Sequence, residues 1–251
     1  MKNLFKTIAI LSILATFIYA QDVEYLFAKA NDYYQQENYS EAIKIYEEIL
    51  TNGKVSGTLY YNLGNAYYKI DEIGKAILYY EKAKILMPDD ENIAFNLKLV
   101  NVKVQDRIQV PRESFIVKLH NNFINLFSIK VWSILFSSFI LFAVLVFFIS
   151  VIIAKYNFKS SRNIIIISMV LALVTFYPTW QKHQKEELTT KGVVLEERID
   201  VFAAPDGEST TLFNIHEGTL FSILDTDGNW FKIELIDGKQ GWVYNEFCEE
   251  V

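Results

Sequence analysis

The chain has 251 residues, 51% of them hydrophobic, with 24 Lys and Arg against 30 Asp and Glu and a net charge of −6. Its mean hydropathy, +0.16, is high for a soluble protein, so the apolar residues must be located before domains are counted. One cysteine, Cys248, excludes an intramolecular disulfide and zinc sites built from two or four cysteines. The acidic balance argues against a nucleic-acid partner, because that binding needs clustered positive charge.

The first apolar block follows Lys2 and Lys6 and runs without a charge from Thr7 to Gln21. A basic start, a short apolar run and a small residue at its end are typical of a signal peptide. We therefore predict a signal peptide over residues 1–20, cleaved after Ala20. An uncleaved anchor helix is the alternative.

A gap-free repeat with a period of 34 residues comes next, because residues 23–56 align with residues 57–90. Aromatic, small and amide residues recur at matched positions. The matched pairs are Tyr33 and Tyr67, Tyr34 and Tyr68, Tyr46 and Tyr80, Asn31 and Asn65, Ala42 and Ala76, Ile43 and Ile77, and Ala30 and Gly64. Repeats of this length stack on one another and bury a common core.

The second copy resembles a tetratricopeptide repeat over its whole length, which implies two antiparallel helices per copy. Small residues at 64, 76 and 83 would let the helices approach closely, and Pro88 would stop the second helix. Residues Glu91 to Ile108 begin a third helix, interpreted as a cap because the third copy lacks its second helix. The repeats and cap together are assigned to residues 21–108.

A repeat stack leaves a concave face lined by its first helices, and the resemblance implies that ligand contacts come from this face. Asn31 and Asn65 are similar to the asparagines by which some family members bind a peptide carboxylate, whereas Phe27 stands where a lysine is expected. Packing within the repeats is the alternative role for Tyr34 and Tyr68, whereas Tyr33 and Tyr67 are assigned to the core. The predicted protein-binding residues of the repeat groove are Phe27, Asn31, Tyr34, Gln35, Tyr61, Asn65, Tyr68 and Lys69.

Two further apolar blocks predict a membrane hairpin. Residues 131–154 carry no charge, and a helix of that length reaches about 36 Å, more than the roughly 30 Å hydrocarbon core of a bilayer. Residues 163–181 form a second, shorter uncharged run. The segment 155–162 between them has three basic residues and no acid, which predicts a cytoplasmic loop and places both flanking regions in the periplasm. A buried soluble hairpin is the alternative.

The segment 109–130 connects the repeats to the first predicted span. Phe115, Leu119 and Phe123 recur at helical spacing, which indicates an amphipathic helix lying at the membrane interface. A simple extension of the span is the alternative.

After Leu188 the pattern changes to alternating apolar residues with turn residues, including Asp227-Gly228 and Asp237-Gly238, which predict tight hairpins. Five or six short strands in about 60 residues suit a small all-β barrel. Motifs such as Gly228-Asn229-Trp230-Phe231 and Gly241-Trp242-Val243 resemble a bacterial SH3 domain, assigned to residues 188–251. With 4 basic and 13 acidic residues, this segment favours protein or peptide partners over nucleic acid and anionic lipid.

The two tryptophans of this domain are expected to have different roles. Trp242 lies between Gly241 and Val243, so its ring is predicted to be inside the barrel. Trp230 begins its strand beside Asn229 and is the predicted protein-binding residue of the SH3 face.

No pattern in the sequence is typical of an enzyme. The three histidines lack a second ligand type at metal spacing. Cys248 and His216 could in principle form a nucleophile and its base, but no catalytic fold containing that cysteine is recognised. We therefore predict a protein that is not an enzyme and has no catalytic residue, metal or cofactor.

The order of signal peptide, repeats, membrane hairpin and SH3 domain resembles BatE-type proteins of the Bacteroides aerotolerance group. This resemblance implies an inner-membrane scaffold acting beside von Willebrand factor A-domain proteins and a MoxR-type ATPase in oxidative or envelope stress. The expected fold is a multidomain membrane protein with an all-α repeat stack, two transmembrane helices and a small all-β SH3-like barrel. A cell-wall sensor whose SH3 domain binds peptidoglycan peptides is the alternative.

Overall fold

The computed structural model describes residues 23–108, 114–152, 158–187 and 190–251. The predicted signal peptide, residues 1–20, lies outside them. The described residues form two compact units, one of which combines residues 23–108 with residues 190–251. The other contains the residues between them in the sequence.

Five helices form the repeat stack. Ser56 caps the third by accepting a hydrogen bond from the Leu59 amide at 3.1 Å, and Asp90 caps the fifth by accepting from the amides of Asn92 and Ile93. The fifth helix is shorter than the predicted cap, and the chain beyond it is irregular. The helices are α1 (23–35), α2 (Tyr39–Thr51), α3 (Gly57–Lys69), α4 (Ile73–Leu86) and α5 (Glu91–Asn101).

Close helix packing in the second copy depends on its small residues. A Cβ atom at Gly64 would lie 2.6 Å from the Tyr80 ring, so only glycine permits this approach. Tyr67 is buried, as its predicted core role requires, and so is Tyr80, whereas Tyr33, also assigned to the core, is only half-buried against it. In the second copy, the first helix thus packs on the second helix where the Tyr80 ring lies against Gly64.

The second unit contains α6 (Phe115–Ile124), α7 (Ile129–Ile152) and α8 (Phe158–Glu187). The helices over Ile129–Ile152 and Ser161–Gln184 are long and apolar enough to span a membrane. The segment predicted as a loop over 155–162 is already helical from Phe158, because no Gly or Pro separates its charged residues from the second apolar run and the helix propagates through them. A turn separates α6 from α7, so α6 is a separate helix and not an extension of α7.

Trp132 joins the turn between α6 and α7. Its indole nitrogen donates to the Ile124 carbonyl at 3.0 Å, and its ring contacts those of Phe123 and Phe127. Lys182 of α8 donates to the Phe127 carbonyl at 2.8 Å. These contacts fix the turn within the second unit.

The C-terminal β domain is one antiparallel sheet of seven strands. Both predicted hairpins are present, and their glycines, Gly228 and Gly238, have φ values of +57° and +86°. A short seventh strand follows a single 3₁₀ turn at the end of the chain. The strands are β1 (Lys191–Val194), β2 (Arg198–Phe202), β3 (Thr211–His216), β4 (Leu220–Asp227), β5 (Trp230–Glu234), β6 (Gln240–Tyr244) and β7 (Cys248–Glu250). Their order across the sheet is β3-β2-β6-β5-β4-β1-β7.

The β domain packs directly on α4 within the first unit. The Glu217 carboxylate accepts a hydrogen bond from the Gly74 amide at 2.7 Å, and Val193 of β1 is buried in the repeat core. Gly218, with φ +80°, lies against Ile77 of α4. Ile43, the residue that matches Ile77 in the first copy, is buried in the helical stack. The third copy has no second helix that could cover α4 in the same way, so the β domain covers this surface instead.

A strap after α5 completes this junction. We define the strap as residues 102–108, which were predicted to be helical. The Asp106 carboxylate accepts hydrogen bonds from the His216 amide at 2.7 Å, from His216 Nδ1 at 2.8 Å and from the Thr219 hydroxyl at 2.7 Å. Ile108 packs against the core of the β domain. Further helical turns over residues 102–108 would have no neighbouring element to pack on, and a short unsupported helix is only marginally stable. The contacts of Asp106 and Ile108 with the β domain therefore replace the predicted helix.

We expect Gly74→Ala to lower the stability of the protein, contrary to the usual effect of this change in a helix. Alanine normally stabilises a helix by about 1 kcal/mol relative to glycine. Here the new Cβ would lie 2.7 Å from the Val194 carbonyl oxygen, and relieving such a contact costs about 1 to 3 kcal/mol. Thermal unfolding of the full chain in detergent measures the difference. The exposed Ser40, one period earlier, supplies the control Ser40→Ala, and stabilisation by Gly74→Ala would contradict the described junction.

We expect the contribution of Asp106 to stability to depend on pH. Burial raises the pKa of its carboxyl, but hydrogen bonds from Thr219 and His216 outweigh burial and leave the pKa below its usual value. A lowered pKa in the folded state stabilises the protein above the unfolded value of about 3.9, and this contribution is lost as the pH falls through the folded pKa. The stability difference between the wild type and Asp106→Asn should therefore be largest near neutral pH and shrink below about pH 4. The exposed Asp89→Asn variant should follow the wild type throughout, and a constant difference for Asp106→Asn would refute the linkage.

Candidate protein-interaction surfaces

Asparagine side chains form a hydrogen-bonded ladder across the first helices of the repeats. Asn31 Oδ1 accepts from the Tyr46 hydroxyl at 2.5 Å and from Asn62 Nδ2 at 3.0 Å. One period later, Asn65 Oδ1 accepts from the Tyr80 hydroxyl at 2.7 Å and from Asn96 Nδ2 at 2.8 Å. Each step therefore links a second-helix tyrosine and the next first helix to one asparagine.

The ladder satisfies tyrosine hydroxyls that the core would otherwise bury unpaired. Burial raises the pKa of Tyr46 to about 12 and raises that of Tyr80 further. Both hydroxyls therefore remain protonated and donate to their asparagines. Removing an asparagine would leave a buried hydroxyl without its acceptor, which costs about 1 to 3 kcal/mol. Asn31 and Asn65, predicted as ligand contacts, thus also hold the repeats together.

Three of the predicted groove residues meet in one hollow. Asn31, Tyr34 and Gln35 line a space of about 140 Å³ together with Tyr46 and Asn62. Burial is the main cause of the raised pKa of Tyr34, whose ring also meets that of Tyr39 edge-on at 5.2 Å. The hollow is polar and uncharged, so it offers hydrogen bonds and ring contacts to a ligand.

The other predicted groove residues lie outside this hollow. Phe27 packs on Tyr46 with ring centres 5.9 Å apart, and the Tyr61 hydroxyl accepts from Asn96 at 3.2 Å. Tyr68 lies under Lys103, whose ammonium is 4.6 Å from its ring centre. Lys69 is exposed.

Asn62 and Asn96 are important groove residues that sequence reasoning missed. They are one period apart, like Asn31 and Asn65, but the first copy has Ala28 at that position. Extending the repeat alignment into the third copy would have shown the pair. The tyrosine partners of the ladder could not be recognised from the alignment, because recurrence alone does not distinguish a core ring from a hydrogen-bond donor.

The outer face of the β domain carries an aromatic cluster, defined as Phe202, Trp230, Tyr244 and Phe247. Trp230 stacks on Tyr244 with ring centres 3.8 Å apart, and Phe202 meets it edge-on at 5.6 Å. These neighbours leave only 9% of Trp230 exposed. The predicted binding residue of this face is therefore largely covered by its own domain.

Trp242, predicted to be inside the barrel, is instead half-buried and lies outside the core of the domain. Its strand neighbour Val243 points into the core and is fully buried. Because successive side chains of a strand face opposite sides, the ring of Trp242 must point outward. Trp230 is thus the more buried of the two tryptophans, which is the reverse of the prediction.

A hollow of about 360 Å³ lies beside the aromatic cluster. Phe202, Tyr244 and Phe247 form its apolar side. Arg198 contributes a cation, and Glu196 and Asp200 contribute carboxylates. The hollow therefore offers both signs of charge next to aromatic rings.

Cys248 and His216 have separate structural roles. Burial raises the pKa of the Cys248 thiol to about 12, which keeps it protonated at neutral pH. His216 is engaged by Asp106 and lies 3.3 Å from the Gln105 side chain. Among the residues that the structure describes, no group of three or more His, Cys, Asp or Glu could hold a metal ion.

Comparison with known families identifies two modules. Residues 197–249 match the bacterial SH3 domain, and residues 57–90 match the tetratricopeptide repeat. The chain contains a bacterial SH3 domain and a tetratricopeptide repeat. Modules of both kinds commonly mediate protein–protein interaction. No curated protein matches the chain.

Solved structures similar to the chain include SH3 domains from Entamoeba histolytica. The C-terminal SH3 domain of myosin IB is 25% identical, covers 26% of this chain and 97% of its own length, and has a TM-score of 0.19. The same domain bound to an EhFP10(GEF) peptide covers 25% of this chain and 93% of its own length, with 25% identity and a TM-score of 0.19.

We expect Trp230→Ala to destabilise the protein more than Trp242→Ala. Removing a buried ring leaves a cavity and costs about 3 to 5 kcal/mol, whereas the half-buried Trp242 should cost about 1 kcal/mol. Urea unfolding of the full chain in detergent gives both values. Trp230→Phe, which keeps a ring against Tyr244, should recover much of the loss. Equal losses for the two alanine variants would contradict the described burial.

Proposed function

We propose that the protein is a non-enzymatic membrane scaffold that binds other proteins through its repeats and its SH3 domain. The observation that carries this proposal is the hollow at Asn31, Tyr34 and Asn62, where polar groups and a ring are accessible on a rigid stack. The matches to two interaction modules support the same conclusion. Two long apolar helices between these modules support attachment to a membrane.

The proposed location is a bacterial inner membrane with both modules in the periplasm. The basic segment 155–162 favours the cytoplasm for the connection between the spans. Hydrogen bonds from Thr219 to Asp106 and from Gly74 to Glu217 join the chain before α7 to the chain after α8. Such contacts require both segments on one side of the membrane, which supports a hairpin of two crossings.

The proposed complex follows from the resemblance to the Bacteroides aerotolerance group. Its partners would be von Willebrand factor A-domain membrane proteins and a MoxR-type ATPase system, acting in oxidative or envelope stress. A membrane hairpin holds the interaction unit close to such partners and raises their effective concentration. The scaffold then needs only a modest affinity at each surface.

A second candidate function is a cell-wall sensor that binds peptidoglycan peptides. The hollow at Arg198, Glu196 and Asp200 favours it, because short peptides carry both an amine and a carboxylate. Rings of Phe202 and Tyr244 would cover the aliphatic part of such a ligand. Retention of the full chain on purified sacculi, lost in Arg198→Ala, would favour the sensor over the scaffold.

We expect Tyr34→Ala to weaken recovery of von Willebrand factor A-domain proteins when the full chain is crosslinked and purified from membranes. Loss of a ring at a central contact costs about 1 to 3 kcal/mol, which corresponds to a drop of about 5- to 150-fold in binding. Quantitative mass spectrometry of the purified material provides the measurement. Tyr25→Ala is the matched control, because Tyr25 lies on the same helix, is 66% exposed and does not line the hollow. Equal recovery with both variants would count against the repeat groove as the binding surface.

A further inference from the structure

Helix α6 presents a large apolar face to the outside of the second unit. Its members are three or four residues apart in the sequence and therefore lie on one side of a helix. Their exposed fractions range from 41% to 80%. Contiguous exposed apolar side chains of this size mark a contact with lipid or with another protein. We define the α6 apolar face as Phe115, Ile116, Leu119 and Phe123.

The opposite side of α6 is fixed to the two long helices. His120 Nε2 lies 2.7 Å from the Tyr177 hydroxyl of α8, and the two rings meet edge-on. The Trp132 indole of α7 donates to the carbonyl of the buried Ile124 at 3.0 Å. These contacts fix the rotation of α6 about its axis, so most of the α6 apolar face is turned away from α7 and α8.

Aromatic residues mark the level of α6 along the two long helices. Tyr177, which contacts His120, and Trp180 are both exposed on α8. Tyr and Trp are enriched where a membrane span meets the headgroups. Lys182, one turn further, donates to the Phe127 carbonyl in the turn between α6 and α7 at 2.8 Å. For a hairpin that crosses a bilayer, α6 therefore lies at the boundary between hydrocarbon and headgroups, and lipid is the occupant next to its apolar face.

The polar side of α6 has little charge. It consists of Lys118, Asn122 and Asn125, which are exposed. Lys118 is the only Lys, Arg, Asp or Glu between residues 114 and 129. Helices that anionic headgroups attract carry several Lys or Arg residues. Apolar insertion must therefore supply most of the attraction of α6 to a bilayer, and large side chains insert most easily where the headgroups are loosely packed.

We propose that the α6 apolar face inserts into one leaflet of the bilayer and selects loosely packed lipid, independently of headgroup charge. Phe115, Ile116 and Leu119 lie among the acyl chains just below the headgroups, while Lys118 faces water. The helix anchors this end of the hairpin sideways in the leaflet and makes the protein sensitive to the packing of the surrounding lipid. This inference rests on the proposed membrane attachment and adds the class of lipid that the protein recognises.

The test uses the full chain reconstituted into vesicles, with a nitrobenzoxadiazole label on a single introduced cysteine. The variants are Leu119→Cys and Lys118→Cys. Both side chains are exposed and adjacent in the sequence, but they lie on different sides of α6, so Lys118→Cys is the matched control. The wild type gives the labelling background, because its one cysteine, Cys248, is buried.

Three lipid compositions distinguish the forces involved. In dioleoylphosphatidylcholine, a lipid with a nitroxide on its acyl chain should quench the label at position 119 about threefold or more relative to the label at position 118. Cholesterol tightens the packing of this lipid and should reduce the difference by about half. Replacing part of the lipid with anionic dioleoylphosphatidylglycerol should leave the difference nearly unchanged, because α6 has only one cation.

Equal quenching at the two positions would overturn the insertion of α6. A difference that requires dioleoylphosphatidylglycerol, or that cholesterol does not reduce, would overturn the proposed class of lipid. A disulfide-linked dimer of unlabelled Leu119→Cys, in place of quenching by lipid, would show a second copy on the α6 apolar face and overturn the proposal. Loss of the chain from the vesicles in an alkaline wash would overturn the membrane attachment itself, whereas a retained chain with an unquenched label overturns this inference alone.

Discussion

A stack of helical repeats buries the core of each copy only where another element covers it, and the third copy here supplies one helix instead of two. The β domain covers the remaining surface of α4, with Val193 in the repeat core and Gly218 against Ile77. Two glycines, at positions 74 and 218, make this approach sterically feasible. The repeats and the SH3 domain are consequently one structural unit that shares an interface.

This shared interface gives the strap a defined path. Asp106 receives three hydrogen bonds from His216 and Thr219, while Ile108 adds apolar contact. The chain leaves the first unit after the strap and returns to it at β1. The interface therefore joins the chain before α6 to the chain after α8 within one unit.

The asparagine ladder gives a structural role to residues that are also proposed to bind a partner. Its carbonyl groups satisfy the hydroxyls of Tyr46 and Tyr80, and Asn31 and Asn62 also line the hollow. Rigid, preorganised polar groups lose little entropy when a ligand binds, so they favour specific recognition. The aromatic cluster of the SH3 domain differs, because Trp230 is covered by Tyr244 and Phe202 and supports the neighbouring hollow without being freely exposed.

Periodicity in the sequence by itself determined the two repeats, the hairpins at Gly228 and Gly238, and the two long apolar helices, because these depend on local patterns of side chains. The burial of Trp230 and Trp242 was decided by strand alternation combined with cross-strand neighbours, which a list of apolar residues does not contain. Likewise, no local pattern predicts that Asp106 reaches Thr219 or that Gly74 meets Glu217. Those contacts join residues more than a hundred positions apart, and only packing of the two modules in three dimensions brings them together.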